Sequence, residues 1–176
     1  MCSYDAIIGS VHSIDNEKWN IPYARIDFSC WSADELYRFM DIYFDNMNKM
    51  LDMLDFDILA HLTCPLRYIN GKYGRNIDAT RFSDEISGIL ERIIKRKIAL
   101  EINTSETDRK LNATMPYEWI IDMYVKLGGS IVTIGSDAHI TRNVGKGFDK
   151  AVNIVKNAGL DCYYYFENRR PVACTL

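Results

Sequence analysis

The sequence has three histidines, and each stands where a metal ligand could stand. His12 closes Asp-Ala-Ile-Ile-Gly-Ser-Val-His (5–12), and His61 lies near the end of Asp-Ile-Leu-Ala-His-Leu (57–62). His139 closes Ile-Val-Thr-Ile-Gly-Ser-Asp-Ala-His (131–139), which also carries Asp137. One histidine after a short apolar run is usually structural. All three in that position, with none on a predicted helix, point to a shared centre. Neutral imidazoles with a carboxylate suit a divalent transition metal, zinc, manganese or iron. Strand side chains alternate between two faces, so Thr133, Gly135, Asp137 and His139 share one face if extended geometry continues past the glycine. The alternative is a polar loop in which His139 bonds only the neighbouring carboxylate.

The elements that must position these residues follow from periodicity. Ser32 and Glu35 form a capping box, and Leu36, Phe39, Met40, Tyr43, Met47, Met50, Leu51 and Leu54 give one apolar helical face. The methionines in it read as core filling rather than as a groove. A second helix is expected over about 83–96, with Ile86, Ile89, Leu90, Ile93 and Ile94 on one side. A third has Pro116 in its first turn and stops at Gly128, and a fourth runs from about 144 to 158 and stops at Gly159. Ile98 to Asn103 alternates as a strand, with Glu101 and Asn103 on a small, polar face that would look toward a ligand. Residues 63–75 read as a loop, and its Arg67, Lys72 and Arg75 would either hold a phosphate or be solvated surface charge. Residues 13–31 read as an irregular connection, and a last strand is expected over 162–166. Strand and helix alternate about four times, which argues for a parallel α/β architecture with function at the strands' C-terminal ends.

At 176 residues the chain is expected to form one domain. Its apolar content of 48% and charged content of 26% are those of an ordinary soluble protein. A net charge of −3 gives no electrostatic reason to expect nucleic acid or an anionic membrane. No apolar run is long enough to span a bilayer, and the N-terminus does not read as a signal peptide. Five scattered cysteines without a C-x-x-C pair fit reduced thiols and a cytoplasmic location.

Gly-Ser-Val-His (9–12), Ile-Leu-Ala-His (58–61), Leu-Glu-Ile-Asn-Thr-Ser (100–105) and Gly-Ser-Asp-Ala-His (135–139) together resemble later motifs of the PHP family, named for polymerase and histidinol phosphatase. The histidinol-phosphatase branch is the nearest match. The resemblance implies a distorted, open and partial β/α barrel of the PHP type. It implies a divalent metal held by His12, His61, Asp137 and His139, with Asp137 and His139 the candidate catalytic pair. Arg67 and Arg142, with Glu101 and Asn103, are the candidate substrate contacts. The implied reaction is metal-assisted hydrolysis of histidinol phosphate, a small phosphorylated substrate, as in histidine biosynthesis. The family opens with a His-x-His motif on its first strand and supplies a further His and a Glu before Gly-Ser-Val-His. None of these is present, so the chain is expected to correspond to the family's C-terminal portion. Three outcomes are then open: an incomplete phosphatase, a non-catalytic metal- or phosphate-binding remnant, and an open barrel whose edge is covered by a second copy in a homo-oligomer.

Overall fold

The computed structural model describes residues 3–14, 21–107 and 109–176. Short strands β1 (Ile8–Gly9), β2 (Ser13–Ile14) and β3 (Ile21–Pro22) lead to helix α1 (Ala33–Met53) and then strand β4 (Ile58–Leu59). Helix α2 (Ser83–Arg96), strand β5 (Ala99–Asn103), helix α3 (Glu118–Lys126) and strand β6 (Val132–Gly135) follow. Helix α4 (Phe148–Asn157) and the hairpin β7 (Cys162–Glu167) and β8 (Arg170–Thr175) complete the chain. Four strands form one parallel sheet in the order β1-β4-β5-β6. Among the described residues this sheet is open, with β1 and β6 at its edges.

The helices form where the apolar spacing demands it. Ser32 accepts from the Glu35 N–H, and Glu35 returns a bond to the Ser32 N–H, so the expected capping box is present. Eight side chains of α1 are buried, from Leu36 to Leu51, each worth roughly 2 kcal/mol of apolar burial. Met40, Met47 and Met50 are among them, as core filling. Leu54 is not; it caps the helix and is exposed. The bounds of α2 are those the periodicity gives, and Lys97, left-handed at φ 57°, closes it. Gly128 and Gly159 follow α3 and α4 with φ of 91° and 85°, as expected of helix stops.

Several expectations need correction. Pro116 lies outside α3, because Met115 exchanges both backbone hydrogen bonds with Asn103 and keeps the chain extended beside β5. Helix α4 begins four residues later than expected. Gly145 and Gly147 hold φ of 73° and 76°, and Thr104 Oγ1 donates to the Lys146 carbonyl at 2.6 Å, which pins the preceding loop. The segment read as a loop contains a π-helical turn, Arg67–Lys72. Residues 13–31 include the β2–β3 pair, and β7 has a partner, β8, that periodicity did not reveal. Of the cysteines, Cys30, Cys64, Cys162 and Cys174 are free thiols, and Cys2 lies outside the described residues. No helix is long and apolar enough to cross a membrane, among the described residues.

Candidate metal centre

The parallel sheet brings His12, His61 and Asp137 past the C-terminal ends of three strands. Asn103 pairs with Gly135, so β5 and β6 end level. His61 lies two residues beyond β4, with φ 27°, and Asp137 two beyond β6, with φ 47°. Left-handed backbone at a non-glycine residue costs about 1–3 kcal/mol and concentrates where side chains must be aimed. The His12 and His61 rings approach edge to face, 5.0 Å between centroids. His12 is exposed on its outer side, while His61 is buried.

Among the described residues, buried Nδ1 of His61 has no hydrogen-bond partner. Such an atom costs about 1–3 kcal/mol unless something binds it. Burial, reinforced by the nearby His12, pushes the His61 imidazole down to about 4. It is therefore neutral at neutral pH, the form that ligates metal. Glu101 holds the backbone in place: its Oε2 accepts from the His61 N–H at 2.8 Å and from Asn103 Nδ2 at 3.2 Å. Burial raises the Glu101 carboxyl above the usual carboxylate range. Its other oxygen packs on Gly135, where a Cβ would stand only 2.1 Å away. Any side chain there would have to push the Glu101 carboxylate aside. Asn103 is fully buried, and its Oδ1 accepts from the Ser105 N–H and hydroxyl. Glu101 and Asn103, expected to face a ligand, are both buried and bonded to each other, with Glu101 also bracing the His61 backbone.

The expected set converges only in part. Among the described residues, no three His, Cys, Asp or Glu side chains are grouped closely enough to hold an ion as they stand. The reason is local. The strand ends at Gly135 and left-handed Asp137 breaks the alternation, so His139 turns outward, 85% exposed at its side chain. Its Nδ1 lies 2.9 Å from the Asp137 carbonyl, close to the polar-loop alternative. Asp137 is instead engaged by Arg67, whose Nη1 donates to Oδ2 at 3.3 Å. The donor chemistry and the unpartnered His61 nitrogen fit a transition metal; the complete ligand set is not assembled.

The three cations of 63–75 also separate. Arg67 points to the site, Lys72 lies over the Tyr73 ring, and Arg75 donates to the Ser29 and Trp31 carbonyls, tying the turn to the preceding connection. Arg142 is exposed in a short 3-10 turn and bonds nothing in the site among the described residues. Two residues of the site were not singled out in the sequence. Glu106 Oε1 forms an ion pair with Arg67 Nη2 at 3.0 Å and accepts from Arg109 Nη1 at 3.1 Å. The available signal was the charged loop 106–110 directly after a buried strand, where parallel α/β folds place function.

The chain matches no family profile. Its sequence is 32% identical over 173 residues, 98% of the chain, to the probable histidinol-phosphatase of Thermotoga maritima. It is 31% identical over 169 residues to the probable histidinol-phosphatase of Clostridium acetobutylicum. The chain spans 64% and 62% of those two proteins' lengths. Its fold is similar to the crystal structure of histidinol phosphate phosphatase from Lactococcus lactis, complexed with zinc, L-histidinol and phosphate. The TM-score is 0.78 at 22% identity, over 97% of this chain and 63% of that one. A putative histidinol phosphatase from Listeria monocytogenes aligns with a TM-score of 0.54 at 18% identity, over 65% of this chain and 44% of that one. Similarity in sequence across nearly the whole chain, joined by similarity in fold, makes this chain a homologue of the histidinol-phosphatases.

Proposed function

We propose that the chain is a metal-dependent phosphoric monoester hydrolase, or a portion of one, acting on histidinol phosphate or a similar phosphomonoester. The observation that carries this reading is the unpartnered, buried Nδ1 of His61, 5.0 Å ring to ring from His12 at the C-terminal end of a parallel sheet. His12, His61 and Asp137 would hold the metal, and His139 would join by turning its exposed side chain back over Asp137. A divalent ion there, of the kind the Lactococcus lactis relative binds, would neutralise phosphate oxygens and activate water. Burial keeps His61 neutral and its lone pair available. Glu101 holds the His61 backbone in place by accepting its N–H at 2.8 Å. Arg67 supplies a planar donor fork suited to phosphate. The four-stranded sheet is read here as an arc of a distorted β/α barrel.

A second reading, a non-catalytic remnant that binds metal or phosphate, is favoured by the scattered donors, His139 above all. Hydrolysis of histidinol phosphate with added manganese or zinc separates the two. Turnover that disappears in His61→Ala supports the phosphatase, and metal binding without turnover supports the remnant. On either reading the β1 edge, with Ile8 and Tyr4 exposed, would be covered by a second copy. Mass in solution tests that, and a strict monomer counts against it.

A further inference from the structure

Glu106 is 4% exposed, yet its loop lies on the side of the sheet where the histidines are. A single oxygen, Oε1, forms an ion pair with Arg67 Nη2 at 3.0 Å and accepts a hydrogen bond from Arg109 Nη1 at 3.1 Å. Arg67 is anchored a second time, through its other terminal nitrogen, on Asp137. Burying the Glu106 carboxylate and most of the Arg67 guanidinium, with Arg109 half-exposed beside them, carries a desolvation penalty, so the arrangement is a poor device for stability alone. It is a good device for aiming donors. A guanidinium has five N–H groups in a rigid fork, and these contacts leave others on both arginines unused. Arg67 and Arg109, with Tyr68 and Lys72, line a cleft of about 260 Å³. Arg109 also lines a small polar cavity beside Asp137 and Ser136. Without a shared anion the two cations would repel and spread apart.

We propose that Glu106 is a positioning residue: it holds Arg67 and Arg109 side by side at the rim of this cleft so that both guanidiniums meet one phosphate dianion. The inference rests on the phosphatase reading and deepens it. Glu106 touches neither the metal nor the substrate; it acts through the arginines.

The test is binding of inorganic phosphate to the zinc-loaded chain, by calorimetry, for the wild type, Glu106→Gln, Arg109→Met and the double variant. Glu106→Gln should weaken phosphate about tenfold and leave zinc affinity unchanged, the size typical of outer-shell changes. Arg109→Met should weaken it similarly, and the double variant little further, because the two act as a unit. Glu106→Asp, which keeps the charge, should recover part of the loss, and it replaces Glu106→Gln if that variant fails to fold. A folded Glu106→Gln that binds phosphate as tightly as the wild type, or a fully additive double variant, overturns the inference. If Arg67→Met loses phosphate while Glu106→Gln does not, only the role of Glu106 falls. A wild type that binds zinc but no phosphate removes the phosphatase reading and the inference together.

Discussion

The two ends of the parallel sheet carry polar clusters of opposite character. At the N-terminal end, Asp57 accepts from the Ile7 N–H at 2.8 Å and from Arg169 Nε at 3.0 Å, and Arg169 Nη2 reaches Asp55 at 3.0 Å. The β7–β8 turn adds the Asn168 N–H to Asp5 Oδ1 and the Arg169 N–H to the Asp5 carbonyl. Tyr124, before β6, both donates to the Ile131 carbonyl and accepts from its N–H. These groups satisfy one another. At the C-terminal end, His61 Nδ1 and Thr63 Oγ1 are buried without hydrogen-bond partners among the described residues. Two side chains there sit on left-handed backbone, and Arg67 divides itself between two carboxylates. One end ties its own groups together. The other holds unused bonding capacity in place, which is what a binding site needs and a stabilising clasp does not.

The sharpest way to break this comparison is to mutate each end and measure both properties. His61→Ala should weaken zinc binding at least ~100-fold, about 3 kcal/mol, while the chain stays folded by circular dichroism. Gly135→Ala comes next. Its Cβ would collide with Glu101 Oε1, so zinc affinity should fall by roughly tenfold and stability by about 1–3 kcal/mol, read by competition titration and urea unfolding. Asp57→Ala should do the reverse of His61→Ala. It should cost about 2–3 kcal/mol of unfolding free energy, because the Ile7 N–H and Arg169 lose their acceptor, with zinc affinity unchanged. A zinc defect in Asp57→Ala would dissolve the distinction between the ends.

The smallest effect is a pH dependence at the N-terminal end. Burial raises the Tyr124 hydroxyl to about 12. A folded value above the unfolded one of about 10 means stability is fully present below pH 10 and is lost as the pH rises toward 12. Tyr124→Phe should therefore be less stable than wild type by about 1 kcal/mol at pH 8, where it lacks two hydrogen bonds. The gap should close or reverse by about pH 11, measured by urea unfolding of both proteins. A gap that stays constant across that range contradicts the assignment.

Much of this was legible in the sequence where local rules suffice. The capping box of Ser32 and Glu35, the bounds of α2 and the stops at Gly128 and Gly159 all depend on neighbours along the chain. So does the placement of His12 and His61 just past apolar strands. The direction of His139 was not legible, because it turns on the left-handed backbone of Asp137. Nothing in Gly-Ser-Asp-Ala-His requires that conformation; it forms where Arg67, seventy residues earlier, takes the Asp137 carboxylate. Arg75 was open between a phosphate contact and solvated surface charge for the same reason: its partners, the Ser29 and Trp31 carbonyls, are remote in sequence. Glu106 sits in a charged loop whose composition says surface, yet it is buried beside Arg67, a partner remote in sequence.

The central claim is that the unused capacity at the C-terminal end binds metal. The most direct measurement is the metal content per chain, by elemental mass spectrometry, of protein purified without chelator. The account predicts about one equivalent or more of a transition metal, lost in His61→Ala and retained in Asp57→Ala. A wild type that holds no metal, even after incubation with zinc or manganese, would contradict it.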